Sequence, residues 1–200
     1  MALLVDGDKT VGIVGAPNLS IDAKAPLKNE YIDRTGEGCI FFAVKGHGAY
    51  IRPLRTDRPR RLPLYNSNDI SLVTSSTVDS ALSGIHEIVA SRLNTAYPGN
   101  DLLPWVLRWA VLAMGLGNTT VWVYKRRDRY AKAWDHAGAM LLFEETGGKI
   151  TDVHGKKIDL TAGRKMSANF GFVGAREDHG RVMEIVREVL IDQGKEEFLT

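Results

Sequence analysis

Three polar side chains near the middle of the chain are candidates for chemistry: Asp135, His136 and Arg108. Asp135 opens a predicted helix, where its carboxylate is either an N-cap stabilised by free N–H groups and the helix dipole or an acid or base. His136 could donate a hydrogen bond or a proton, or hold a structural place. Arg108, like Tyr124, could polarise a carbonyl group. These residues are the candidate catalytic set, although no histidine has the spacing of a Ser-His-Asp site.

Two tryptophans accompany this set on a predicted helix. Trp105 and Trp109 are four residues apart, so their rings share one helix face and form either part of the core or the aromatic wall of a ligand pocket. Trp122 lies on a predicted strand and is interpreted as core. The one cysteine, Cys39, excludes an intrachain disulfide and a cysteine-based zinc site, and its apolar neighbours predict burial.

Alternating strands and helices must position these residues. The pattern predicts an α/β (α+β layered) fold, a mixed sheet with packed helices, in a single domain over residues 1–200. Predicted hairpins pair Ala2–Val5 with Thr10–Val14 and Cys39–Val44 with Ala49–Pro53, and the later predicted strands are Ile70–Thr74, Thr119–Tyr124, Lys149–Val153 and Phe170–Ala175. The predicted helices are Asp79–Leu93, Leu102–Leu116, Trp134–Thr146 and Asp178–Ile191.

The composition is that of a globular protein. The 200 residues are 44% hydrophobic and 25% charged, which argues against a disordered, collagen-like or coiled-coil chain. The apolar runs are too short to span a bilayer, and the first residues lack the pattern of a signal peptide. We therefore expect a cytoplasmic protein with no membrane partner. The net charge of +2 predicts no nucleic-acid partner by itself.

One motif is specific enough to indicate a family. Trp134-Asp135-His136-Ala137-Gly138-Ala139, followed by Glu144-Glu145-Thr146-Gly147-Gly148, resembles the second signature of the inositol monophosphatase superfamily, the lithium-sensitive, magnesium-dependent phosphatases. The histidine after Trp-Asp points to the 3'(2'),5'-bisphosphate nucleotidase branch. Val11 to Leu19 and Gly38 to Tyr50 resemble further segments of that branch. The resemblance implies the C-terminal portion of the inositol monophosphatase-like fold.

The chain departs from the family at the metal site. In the family a first metal signature, Asp-Pro-Ile-Asp-Gly-Thr, and a metal-ligand glutamate precede the segment that matches residue 1. The resemblance therefore leaves Asp135 as one vestigial metal ligand. A single carboxylate does not compete usefully with the hydration shell of Mg²⁺. We expect no metal site, no cofactor and no ordinary phosphatase activity.

The resemblance also implies a changed substrate pocket. A family serine falls on Trp105, a glutamine on Val106 and a lysine on Arg108, and a histidine falls on Leu82. Because polar groups become apolar, we expect an apolar small-molecule ligand. The predicted substrate-binding residues, expected around one cavity beside Asp135 and His136, are Leu82, Trp105, Trp109, Met114 and Tyr124.

Three functions remain open from the sequence. The first is a repurposed enzyme that promotes a cofactor-free cyclisation or isomerisation, of cycloaddition type, in a biosynthetic pathway. The second is a truncated or inactive 3'(2'),5'-bisphosphate nucleotidase, and the third is a non-catalytic binding protein. We also expect a homodimer, because removing the N-terminal region of the family fold exposes apolar surface that soluble proteins cover.

Overall fold

The computed structural model describes residues 1–29, 36–64 and 69–200. Over these ranges the chain forms strands, α-helices and two short 3-10 helices, a mixed α/β fold as predicted. The strands are β1 (Ala2–Val5), β2 (Asp8–Ala16), β3 (Cys39–Val44), β4 (Gly48–Pro53), β5 (Arg60–Arg61), β6 (Val73–Thr74), β7 (Asn100–Asp101), β8 (Thr119–Trp122), β9 (Lys149–Thr151) and β10 (Phe172–Ala175). The helices are α1 (Ile85–Arg92), α2 (Trp105–Ala113), α3 (Ala137–Glu144) and α4 (His179–Asp192), with 3-10 helices at Ala133–Asp135 and Glu196–Leu199.

The first five strands form an antiparallel sheet in the order β1-β2-β3-β4-β5. Its register places Val11 opposite Val44 and Phe42 opposite Tyr50. Because side chains alternate between the faces of a strand, Phe41 is buried on the side of α3, whereas Phe42 and Tyr50 lie on the outer face. Their rings stack there with centroids 5.3 Å apart.

Two glycines allow α3 to lie directly on β2. A Cβ atom at Gly12 would lie 2.1 Å from the carbonyl oxygen of Gly138, and a Cβ at Gly138 would lie 2.3 Å from the carbonyl oxygen of Met1. Both distances are far inside van der Waals contact, so neither position accepts a side chain without movement of the backbone. The close approach fixes the start of α3, and with it Asp135 and His136, against the sheet.

A second antiparallel sheet, in the order β8-β10-β9, is buried more deeply. Every residue of β8 and β10 is buried, and Trp122 is 0% exposed, which confirms its interpretation as core. Buried apolar side chains from both sheets and from all four helices form one connected hydrophobic cluster in the described chain. Among the described residues, no helix is long and apolar enough to cross a membrane.

The predicted helix Asp79–Leu93 is wrong in its first part, because α1 begins only after Gly84. The preceding residues pair with the chain around β8 instead: the Leu82 N–H donates to the Val123 carbonyl at 2.9 Å, and the Lys125 N–H donates to the Ser80 carbonyl at 3.0 Å. Backbone pairing with a neighbouring segment therefore overrides the helical spacing. This pairing brings Ser80 and Lys125 together, beside the candidate site.

His86 lies on the buried side of α1. It is 5% exposed, its Nε2 accepts the Val123 N–H at 2.9 Å, and its ring stacks on Trp122 with centroids 5.0 Å apart. Because Nε2 accepts, the neutral ring carries its proton on Nδ1. His86 therefore belongs to the core between α1 and β8.

Candidate functional site

A cavity of about 160 Å³, the inner cavity, lies where α2, the end of β8 and the start of α3 meet. Three of its lining residues carry positive charge and one carries negative charge at neutral pH. It brings together Asp135, His136, Arg108, Trp105 and Tyr124 of the predicted site. The full lining is Val78, Ser80, Leu103, Trp105, Arg108, Tyr124, Arg129, Tyr130, Ala131, Lys132, Asp135 and His136.

Arg108 is the most deeply buried charge of this cavity, at 1% exposure. Its Nε donates to the Leu102 carbonyl at 2.6 Å and its Nη2 to the Leu103 carbonyl at 3.0 Å. The guanidinium carbon lies 4.3 Å from the ring centroid of Trp105 and 4.6 Å from that of Trp122. Among the described residues Nη1 has no hydrogen-bond partner. Burial lowers the pKa of Arg108 to about 10, so it remains a cation at neutral pH with one donor group unused.

His136 lies between aromatic rings and is uncharged at neutral pH. The Trp109 Nε1–H donates to His136 Nδ1 at 3.1 Å, so the neutral ring carries its proton on Nε2. Its ring centroid is 4.9 Å from that of Trp105 and 4.5 Å from that of Phe172. Burial, reinforced by the positive charge of Arg108, lowers the pKa of His136 to about 3. His136 is therefore a neutral residue of the cavity wall. Its pKa lies too far below neutral pH for it to serve as a general acid.

Asp135 ends the 3-10 helix and is partly exposed. His136 occupies the N-cap position of α3, and no side chain there makes a capping hydrogen bond, so the N-cap interpretation of Asp135 is wrong. Nor does the Asp135 carboxylate make a hydrogen bond to any other described residue. It stands free at the cavity, beside Arg129 and Lys132.

Tyr124 is 4% exposed, and burial raises the pKa of its hydroxyl to about 12. At neutral pH it is a neutral phenol that can donate one hydrogen bond. Trp105 is partly exposed and contacts the rings of Trp109, Trp122 and Phe172 with centroid distances of 5.6, 5.5 and 5.0 Å. These contacts hold the Trp105 ring rigidly in the cavity wall.

The prediction of one cavity for all five substrate-binding residues is wrong for Leu82, Trp109 and Met114. Trp109 is 0% exposed and lies behind His136 in the core. Leu82 packs against the core from the segment that pairs with Val123. Met114, at the other end of α2, lines a separate cavity that includes Arg60. A full helix length separates Met114 from the residues at the start of α2, so it cannot reach the inner cavity.

Sequence reasoning missed the basic residues of the site. Arg129 and Lys132 line the inner cavity, and a neighbouring outer cavity of about 320 Å³ shares Ser80 and Arg129 with it. The outer cavity is lined by Asp79, Ser80, Lys125, Arg126 and Arg129. The run of basic residues after β8 was a signal for this arrangement, but the sequence alone does not place it beside Asp135.

The residues of the inner cavity do not fit a Mg²⁺ centre of the kind that the family implies. Asp135 is the one acid among them, and the described residues contain no group of three or more His, Cys, Asp or Glu side chains suited to a metal ion. Arg129 and Lys132 line the same space and oppose a second cation electrostatically. A hard divalent ion needs several oxygen ligands, which this donor set does not supply.

A family model for the inositol monophosphatase family matches residues 1–190. The chain belongs to the inositol monophosphatase family. A protein of Emericella nidulans named 3'(2'),5'-bisphosphate nucleotidase is 31% identical over 201 residues, which cover 95% of this chain and 57% of that protein. A Schizosaccharomyces pombe protein of the same name is 28% identical, over 88% of this chain and 49% of its own length. The chain thus spans about half the length of these curated relatives.

Solved structures agree on the fold. An IMPase of Thermotoga maritima superimposes with a TM-score of 0.58 at 18% identity, over 96% of this chain and 61% of that one. A SaIMPase-II structure with bound 2'AMP superimposes with a TM-score of 0.60 at 17% identity, over 98% of this chain and 64% of that one. Both likenesses confirm the expected inositol monophosphatase fold.

The comparisons correct the expected function. The first curated relatives are named bisphosphate nucleotidases, and none of these findings supports a cyclase or isomerase, so that expectation is wrong. The inference failed because it treated Trp105 and Trp109 as a wall for an apolar ligand. In the structure Trp109 belongs to the core, and charged side chains line the cavity instead.

Proposed function

We propose that this chain binds a phosphorylated nucleotide with a phosphate group in the inner cavity, as a non-hydrolysing relative of 3'(2'),5'-bisphosphate nucleotidases. The observation that carries the proposal is the convergence of Arg108, Arg129 and Lys132 on one small cavity. Three cations against the single carboxylate of Asp135 favour an anionic ligand electrostatically. The names of the relatives support a nucleotide as the molecule that carries the anion.

Arg108 is the main phosphate-binding residue in this proposal. Its Nη1 donor is buried and has no partner among the described residues. Its guanidinium donates to carbonyl oxygens and packs on aromatic rings, and it forms no ion pair with a described acid, although the charge of Asp101 acts on it from nearby. A buried charge without a counter-ion is costly, and an anionic ligand relieves that cost. Hydrogen bonds between charged groups in a desolvated site are also about twice as strong as neutral ones.

The other wall residues orient the ligand. Tyr124 is protonated at neutral pH and donates a hydrogen bond, whereas Asp135 accepts one from a ribose hydroxyl or an amino group. The rigid ring of Trp105 supplies an apolar surface, and neutral His136 closes the wall without adding charge. Asp135 alone supplies too few oxygen ligands to hold Mg²⁺, so the proposal includes no metal-assisted step.

Calorimetric titration tests the binding. Adenosine 3',5'-bisphosphate should bind with one site per chain, and adenosine should bind at least tenfold more weakly because it lacks the phosphates. Arg129→Met, at an exposed position where the fold should tolerate the change, should weaken bisphosphate binding several-fold. Arg187→Met, which removes the same charge from the exposed side of α4, is the matched control and should leave the affinity unchanged. Equal affinity for the bisphosphate and adenosine would overturn the proposal.

A phosphate-release assay tests the absence of hydrolysis. With adenosine 3',5'-bisphosphate and Mg²⁺, the purified chain should release no more phosphate than the buffer does. Release that requires Mg²⁺ and disappears in Asp135→Asn would show that the chain hydrolyses its ligand, against the proposal.

A further inference from the structure

A basic surface continues outward from the inner cavity. Two chain segments form it, and the backbone joins them: the Ala133 N–H donates to the Arg164 carbonyl at 3.2 Å, and Lys132 forms an antiparallel bridge with Lys165. The outer cavity, which shares Ser80 and Arg129 with the inner one, connects this surface to the candidate site. The basic surface comprises Lys125, Arg126, Arg127, Arg129, Lys132, Arg164 and Lys165.

Most of this charge is not neutralised within the chain. Lys125 pairs with Asp79 at 2.7 Å and Arg126 with Asp128 at 3.0 Å. Arg127 donates a hydrogen bond to the main-chain oxygen of the last residue, Thr200. Over the described residues Arg129, Lys132, Arg164 and Lys165 have no acidic partner, and all of these four except Lys132 are exposed. The net charge of +2 for the whole chain conceals this local excess. A surface of this kind attracts a polyanion.

An aromatic ring stands within the basic surface. Trp134 is 60% exposed, and the Arg164 guanidinium lies 5.7 Å from its ring centroid. Tyr130, four residues earlier, lines the inner cavity. Rings between cationic side chains are the arrangement on which single-stranded bases stack while their phosphates meet the cations. A purely structural role for Trp134 does not explain why its ring is left in solvent.

We infer that the basic surface binds single-stranded nucleic acid whose terminal phosphate enters the inner cavity. This inference rests on the proposed function, because the terminal nucleotide occupies the site proposed for the nucleotide ligand. The inner cavity holds about 160 Å³, enough for a terminal phosphate group but not for a duplex end. Trp134 favours a single strand over an acidic peptide or an anionic membrane, because an unpaired base offers a flat face to stack on the ring.

Fluorescence anisotropy tests the inference. The ligand is a 5'-fluorescein oligoadenylate of about eight nucleotides with a 3'-phosphate, a length within the usual range of single-strand sites. We expect it to bind, to lose affinity as salt rises, and to bind at least tenfold more tightly than a duplex of the same length. The same strand with a 3'-hydroxyl should bind several-fold more weakly, because the inner cavity stays empty.

Two variants separate charge from stacking. The double substitution Arg164→Ala and Lys165→Ala should weaken binding at least tenfold and lower the slope of log K against log salt by about 1.4, since each lost contact to a single strand contributes about 0.7. Trp134→Ala should weaken binding without changing that slope, and Trp134→Phe should restore most of the affinity. The double substitution Arg181→Ala and Arg187→Ala, on the exposed side of α4, is the charge-matched control and should change nothing.

The outcomes separate the inference from the proposed function. If adenosine 3',5'-bisphosphate binds but the oligonucleotide does not, the inference is wrong and the proposed function stands. If the single strand binds regardless of its terminal phosphate and the bisphosphate does not bind, both are wrong. Equal binding to polyglutamate, to phosphatidylserine vesicles or to the duplex would overturn the single-strand assignment.

Discussion

At the scale of single residues, burial has opposite consequences for the charges of Arg108 and His136 in the wall of the inner cavity. Desolvation lowers the pKa of both Arg108 and His136, to about 10 and about 3. Arg108 begins so far above neutrality that it keeps its charge, whereas His136 begins near neutrality and loses it. At these two positions the wall therefore presents a fixed cation and a neutral ring, which suits anion binding better than proton transfer.

We predict that Asp135→Asn tightens the binding of adenosine 3',5'-bisphosphate several-fold. The substitution removes the one negative charge from a cavity that faces the anion with three cations. The thermal midpoint should change little, because the carboxylate caps no helix and makes no hydrogen bond to the described chain. Titration calorimetry and thermal unfolding measure the two effects.

Asp178 provides the contrast for this prediction. Its side chain accepts a hydrogen bond from the Arg181 N–H at the start of α4, so Asp178→Ala should cost about 1 kcal/mol of stability without altering affinity. Weaker nucleotide binding in Asp135→Asn, or a loss of stability as large as that of Asp178→Ala, would contradict the assigned role of Asp135.

We predict that stability falls as the pH is lowered from 7 to 5. Burial lowers the folded-state pKa of His86 to about 4 and of His136 to about 3, from ordinary values near 6.5. Below about pH 6.5 the unfolded chain therefore binds protons that the folded chain refuses, and stability is progressively lost down to these folded pKa values. Urea unfolding along a pH series measures the slope, which His86→Gln should reduce. A stability that is constant from pH 7 to 5 would refute the neutral assignment.

At the scale of elements, α2 is the part that assembles the cavity wall. Trp105, Arg108 and Trp109 stand at positions i, i+3 and i+4, so they share a face that looks toward β8 and the start of α3. The helix places Trp105 and Arg108 at the cavity and Trp109 behind His136. A single helix thus supplies the cation, part of the aromatic wall and the hydrogen bond that sets the His136 tautomer.

The contact between β2 and α3 yields a prediction about packing. Gly12→Ala should destabilise the fold by about 1–3 kcal/mol or more, because the added Cβ would clash with the backbone carbonyl oxygen of Gly138. Gly15→Ala, on the same strand, has no atom within 4 Å of its new Cβ and should cost much less. Urea unfolding compares the two. Equal losses would show that α3 does not lie directly on β2.

At the scale of the whole molecule, the outer face of the five-stranded sheet presents apolar side chains to solvent. Leu3 is 52% exposed, Val5 50% and Val44 40%, and the stacked rings of Phe42 and Tyr50 lie on the same face. Contiguous exposed apolar surface of this kind marks interaction sites. We predict that the homodimer expected from the sequence pairs through this face.

We predict that the chain is a homodimer at micromolar concentration and that Val44→Lys dissociates it. A lysine in the middle of an apolar face would bury an unpaired charge in the dimer. Ile191→Lys changes an apolar residue of similar exposure on α4 and should leave the dimer intact. Sedimentation velocity distinguishes the two states. A monomeric wild-type chain would contradict the prediction.

The sequence by itself was sufficient for the family and for most elements. The Trp134-Asp135-His136 signature identified the family, because its residue types recur at a fixed spacing. The hairpins were correct because period-two apolar alternation and tight turns are local signals. The burial of Trp122 and Cys39 followed from their apolar neighbours.

Only the tertiary structure decided what the inner cavity contains. Residues 80–82 pair with the chain around β8 and do not begin a helix, and this places Ser80 beside the basic run that includes Arg129. The interruption between the 3-10 helix and α3 leaves the Asp135 carboxylate free, and Trp109 turns inward to His136. Each of these outcomes depends on contacts between segments that are far apart in the chain. Such contacts can override the local hydrophobic spacing that predicts a helix or a strand, and the amino-acid sequence alone does not show where they form.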